Sequence, residues 1–193
     1  GLTILTSHRR QSFYNNLHFN YGGDLGLGVN PKLIERINKS DYIVLLGGRL
    51  SENPSQGFSL LGIPEHDKKF VHIHPGPEEI GRIYKPHLGI ACSPISFVNA
   101  LNNALKGLNT KPSSQNQISA NQAHEEYLEW GNMPLEAPNS GVDLTTAFRN
   151  LRENIDSNTI ITNGAGNYAV WGHRLFRFTN FGTQLAPISG SMG

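Results

Sequence analysis

The stretch from Thr159 to Trp171 constrains this chain more than any other. Thr159-Ile160-Ile161-Thr162 is β-branched throughout, which predicts a short buried strand. Asn163-Gly164-Ala165-Gly166 follows without bulk, and a helical run through Val170, Leu175 and Phe176 comes next. Strand, glycine turn and helix in that order place backbone N–H groups at the strand's carboxyl end, where a phosphate or diphosphate can sit. The letters also fit G-x-G-x-x-A, the fingerprint of a dinucleotide turn. That fingerprint needs an acid about 20 residues further on to hold the ribose. No Asp or Glu occurs from Ser157 to Gly193. The turn therefore reads as a phosphate cradle that lacks its other partners.

Bulk properties bound the rest. The 193 residues suffice for one large domain or one and a half smaller ones. The chain opens on Gly1 and closes on the turn-like Ser189-Gly190-Ser191-Met192-Gly193, so the expectation is a piece of a longer protein. A net charge of +1 with interleaved acids and bases predicts neither nucleic acid nor anionic membrane as partner. Cys92 is the sole cysteine, which excludes an internal disulfide and points to a reducing, cytoplasmic setting. The longest uninterrupted apolar run, Tyr42 to Leu46, is far too short to span a bilayer.

Taken in order, Leu2 to Thr6 predicts a strand that ends in Ser7-His8-Arg9-Arg10, a cationic strand end that reads first as a solvated loop and second as an anion partner. Tyr21 to Gly28 is dense in glycine, either a close backbone approach to a ligand or a plain loop. Asn30-Pro31 is a cap followed by proline at the first helical position, with Leu33, Ile34 and Ile37 as the apolar face. Tyr42 to Leu46, ending in Gly47-Gly48-Arg49, predicts a strand buried on both faces in a parallel sheet. Its glycine ending opens space where α/β folds bind ligands. Lys69 to His74 is the next strand. His72 and His74 could suit a metal, but without a third ligand nearby they read as a strand-end pair, one of them hydrogen-bonded. Ile90-Ala91-Cys92 is a last short strand, with Cys92 a small buried residue. Ser93-Pro94 opens a helix with Ile95, Val98, Leu101 and Leu105 in helical period. A polar linker follows, then a polar helix around Ala120 to Trp130, and Asp143 caps a helix over Leu144 to Asn154. The expected organisation is a β/α unit over residues 1–107, a linker with a polar helix over 108–141, and the start of a second β/α unit over 142–193.

Asp41 to Arg49, Val71 to Gly81 and Gly89 to Leu101 resemble the central domain of thiamine diphosphate-dependent enzymes of the acetolactate synthase type. Asn163 to Trp171 and Ser189 to Gly193 resemble the start of their diphosphate-binding domain. The resemblance implies an α/β fold: a Rossmann-like parallel sheet in the central domain, then the beginning of a second α/β domain. It implies that Gly166, Asn167 and Tyr168, in places where the family usually has Gly-Gln-His-Gln, contact the cofactor's diphosphate, with Gly164 in the same turn. It also implies that the Gly190 carbonyl meets the 4′-amino group, within a Gly190-Ser191-Met192 segment whose Met192 is the apolar wedge bending the cofactor. No catalytic residue falls inside the chain. The family's glutamate lies in an N-terminal domain, and its Mg²⁺ ligands lie downstream, so the metal is implied with ligands elsewhere. Where flavin-bearing members carry acids, this sequence has His74, Gly76 and Ser93, which speaks against FAD.

The leading expectation is thus a fragment of a decarboxylase or carboligase acting on a small 2-oxo acid, inactive alone, from a parent that assembles as a homodimer or homotetramer. Two alternatives stay open: an oxidoreductase binding NAD or FAD through Gly164–Ala169 or Gly22–Gly28, and a non-catalytic β/α module.

Overall fold

The computed structural model describes residues 1–108, 111–133 and 139–190. The chain forms two compact units: Gly1–Leu33 together with Ser113–Gly193, and Ile34–Pro112.

In the first unit, β1 (Ile4–Ser7) pairs in parallel with β2 (Tyr21–Leu25), aligning Thr6 with Asp24 and Ser7 with Leu25. The connection between them contains a short 3₁₀ turn at Gln11–Phe13. Residues Tyr21–Leu25 of the glycine-dense stretch are therefore strand and not loop. The glycines serve packing: a Cβ on Gly22 would lie 2.6 Å from the Thr3 Cγ2 and 3.5 Å from the Ala123 Cβ. The neighbour on that side is α3 (Ser114–Asn132), begun by Ser113, whose side chain accepts from the Asn116 N–H. The sequence pattern places this helix in a linker; the structure lays it on β2, with Ala120, Ala123 and Tyr127 buried. Small residues at that spacing let a polar helix approach a glycine strand closely, and burial of Tyr127 against Tyr21 completes the contact, with ring centroids 4.8 Å apart.

The remainder of the first unit comprises α4 (Leu144–Asn154), β6 (Ile161–Thr162), α5 (Ala169–Leu175) and β7 (Gln184–Leu185). Asp143 caps α4 as expected, accepting from the Thr145 N–H at 2.9 Å. Of the anticipated apolar face, Leu144 and Phe148 are half-buried while Ala147 and Leu151 are exposed. Strands β6 and β7 pair in parallel. β6 is shorter and less buried than its β-branched run predicts, with Ile160 55% exposed, because a two-residue strand has one partner and little cover.

In the second unit, β3 (Tyr42–Leu46), β4 (Lys69–His74) and β5 (Leu88–Ala91) form a parallel sheet in the order β3-β4-β5. Central β4 carries the core, with Phe70, Val71 and Ile73 buried. Strand β3 lies at an edge, and Tyr42, Val44 and Leu46 are exposed. The expectation of burial on both faces fails because a continuous apolar run reports composition, while position in the sheet decides cover. Helix α2 (Pro94–Leu105) starts at Ser93, which accepts from the Ser96 N–H, yet none of its residues is buried. The chain passes between units within α1 (Pro31–Lys39), whose cap Asn30 accepts from the Lys32 N–H at 3.0 Å.

Candidate anion-binding site

Between β6 and α5 the chain makes the predicted glycine turn, in the first unit. Its carbonyls serve the following helix: Gly166 accepts from the Ala169 N–H at 3.1 Å, and Asn167 accepts from the Val170 N–H at 3.1 Å. The Gly164 carbonyl accepts from the Asn163 side chain at 2.9 Å. The N–H groups of Gly164, Ala165 and Gly166 donate to nothing among the described residues. Gly164 is half-buried, and Gly166, Asn167 and Tyr168 are exposed, so an anion has access. The Tyr168 ring lies against the turn: a Cβ on Gly166 would stand 2.5 Å from its Cε1. A side chain at residue 166 would thus have to displace the exposed Tyr168 ring, and the Gly166 N–H has no acceptor among the described residues. Gly190 has φ 77°, and among the described residues nothing lies within 4 Å of a Cβ position. Ser191 and Met192 lie outside the described residues.

The structure adds Arg9 to these residues. The cationic strand end reads first as a solvated loop, but Arg9 is 2% exposed and its Nη2 reaches the Gly164 carbonyl at 3.4 Å. Its Nη1 donates to the Pro187 carbonyl. A glutamine pair supports this approach. The Gln11 N–H donates to the Gln184 Oε1 at 2.8 Å, and the Gln184 amide donates back to the Gln11 Oε1 at 2.7 Å. Nothing local in sequence announces a link between residues so far apart; the burial of two glutamines is its only signature.

Beside this lies a buried polar cluster. Gln11 also donates to the Asp24 carboxylate at 2.9 Å and to the His173 carbonyl at 2.7 Å. Loss of solvation pushes the Asp24 carboxyl up to about 7, against the pull of the Gln11 hydrogen bond. Burial lowers His173 to about 4, assisted by the repulsion it would meet from a protonated His8 and from Arg9. His8 is lowered for the same first reason, then by Arg9 and Arg10. Burial raises the Tyr127 phenol.

A cavity of about 20 Å³ adjoins the cluster, lined among others by Gly23, Asp24, Tyr127, Trp130 and His173. It suits a water-sized guest and falls well below the ~300 Å³ and more of nucleotide pockets. The glycines around it are taken up by protein neighbours: a Cβ on Gly28 would stand 2.8 Å from the Val170 Cγ1. The Gly22–Gly28 stretch is therefore a packing device as folded, and its geometry does not favour a dinucleotide there.

The second unit disposes of its candidates similarly. Gly47 (φ 71°) lies beneath Pro94, whose Cγ would be 2.7 Å from a Cβ, so the space at the end of β3 is filled. The His72 Nε2 pairs with the Gly48 carbonyl at 2.9 Å, and the His74 Nδ1 meets Gly76, which is the strand-end reading of the two histidines. Cys92 is a free thiol of intermediate exposure. Among the described residues no group of three or more His, Cys, Asp or Glu could hold a metal ion. Among the described residues no helix is long and apolar enough to cross a membrane.

Residues 1–101 match the family model described as "Thiamine pyrophosphate enzyme, central domain". No curated protein matches the chain.

Proposed function

We propose, because this chain belongs to the thiamine pyrophosphate enzyme family through its central domain, that it serves a 2-oxo acid decarboxylase or carboligase of the acetolactate synthase kind. The observation that carries this beyond the family is the turn after β6, where Gly164, Ala165 and Gly166 present N–H groups that donate to no described residue. A diphosphate needs such donors, and a half-exposed glycine turn at a strand's carboxyl end supplies them. Gly164, Gly166, Asn167 and Tyr168 would hold the diphosphate. Gly190, Ser191 and Met192 would hold the aminopyrimidine end. When bound, thiamine diphosphate supplies the electron sink for loss of CO₂ from the substrate. The chain's own part is to seat the diphosphate through backbone donors and to keep water from the reacting end. Mg²⁺ would accompany the diphosphate, held by oxygen ligands outside this chain. Assembly as a homodimer or homotetramer in the cytoplasm belongs to the same proposal.

Calorimetry on the intact protein tests it. Thiamine diphosphate with Mg²⁺ should bind at micromolar levels and NAD⁺ should not; the reverse order would refute the reading.

A further inference from the structure

Arg9 stands out among the charges of the first unit. It is 2% exposed and adopts φ 55°, a left-handed conformation that costs a non-glycine residue energy. Such strain persists where surrounding structure over-determines it, and functional sites are where it clusters. A buried guanidinium is also costly unless an anion compensates it. Among the described residues Arg9 has no carboxylate partner: its Nη groups reach the carbonyls of Gly164 and Pro187, and its Nε has no hydrogen-bond partner there.

The identity of those two carbonyls matters. Gly164 opens the turn between β6 and α5, and Pro187 precedes the Gly190 segment, the two stretches that the proposed function assigns to opposite ends of one cofactor. Arg9 arrives from the carboxyl end of β1, a long way off in sequence, and bridges both. The Nε–Nη2 edge of a guanidinium presents two parallel N–H donors that can take two oxygens of a phosphate or carboxylate. In Arg9 that edge carries only the 3.4 Å contact to Gly164, near the outer limit of a hydrogen bond. The neighbouring ionisable groups leave this charge unanswered. His8 and His173 are held neutral by burial, Arg10 is a second cation, and the Asp24 carboxyl is engaged by Gln11.

We infer that Arg9 is a phosphate-binding residue of this site, its Nε–Nη2 edge gripping a phosphoryl group seated on the Gly164–Gly166 turn while Nη1 anchors the chain at Pro187. The inference rests on the proposed function, because it takes the anion to be the diphosphate placed at that turn. It predicts a contribution from side-chain charge that backbone donors alone cannot supply.

Inorganic pyrophosphate, titrated calorimetrically into the intact protein with Mg²⁺ present, separates the possibilities, with thermal melts as the control for folding. The expected result is binding by the wild type, weakened at least about tenfold in R9Q and several-fold in R9K, which keeps the charge and loses the paired edge. Undiminished binding by folded R9Q overturns the role of Arg9 and leaves the turn standing. If R9Q fails to fold, R9K decides, and wild-type affinity in R9K overturns the inference. A wild type that takes no pyrophosphate and no thiamine diphosphate removes the turn and Arg9 together.

Discussion

Asp24 and His173 pull the stability of the first unit in opposite directions as pH changes. The folded Asp24 carboxyl titrates at about 7 against 3.8 when unconstrained, so the folded state holds an extra proton between those values. That group therefore costs stability as pH rises through the window. The folded His173 titrates at about 4 against 6.5, so the unfolded state holds the extra proton and stability is lost as pH falls from 6.5 toward 4. The windows overlap and the two slopes oppose each other, so the wild-type profile between about pH 4 and 7 is flatter than either group alone would make it. Asp24→Asn removes one side. The variant should be stabilised by roughly 1–4 kcal/mol near pH 8, with the gain vanishing near pH 4, as read from urea melts across that range. His173→Phe should do the converse: it should lose the destabilisation on acidification and unmask a decline in stability from about pH 4 to about pH 7. If both variants keep the wild-type pH profile, neither group is buried as described.

At the scale of the element, α3 shows how a polar helix finds a place in a core. Its face toward β2 is Ala120, Ala123 and Tyr127, and opposite it stand Gly22 and Gly23. A large side chain on either partner would hold them apart. Ala123→Leu should therefore cost about 1–3 kcal/mol by overpacking, with the loss visible in a denaturant midpoint. Ile118→Ala, on the exposed side of the same helix, should change stability by less than about 0.5 kcal/mol. Equal effects from the two would mean that α3 does not lie on β2. The boundary of α3 was readable from Ser113, and its small-residue stripe was there to be read as well. What obscured it was composition, since Asn, Gln and Ser around the stripe resemble a linker.

At the scale of the molecule, the first unit is discontinuous: residues from both ends of the chain close it, with the second unit inserted between. Gln11 and Gln184 form a principal tie across that gap, and Asn16 forms another, accepting from the Phe178 N–H at 2.9 Å. Gln184→Leu leaves the Gln11 N–H and amide oxygen buried without partners, which should cost a few kcal/mol. Hydrogen exchange should then speed up at β1 and β2 as well as at β7, while β4 amides keep their protection. Acceleration confined to β7 would show that the two ends do not stabilise each other.

Local chemistry settled much of this chain before folding is considered. The caps at Asn30, Ser93 and Asp143, the strands Tyr42–Leu46 and Lys69–His74, and the glycine turn at Gly164–Gly166 all follow from preferences that act over a few residues. The family match over residues 1–101 is likewise a property of the sequence. Exposure of β3, the docking of α3, the use of the Gly22–Gly28 glycines for packing, and the arrival of Arg9 beside Gly164 were decided by tertiary structure alone. Each depends on which distant segment comes to lie alongside, and periodicity within one segment carries no information about its neighbour.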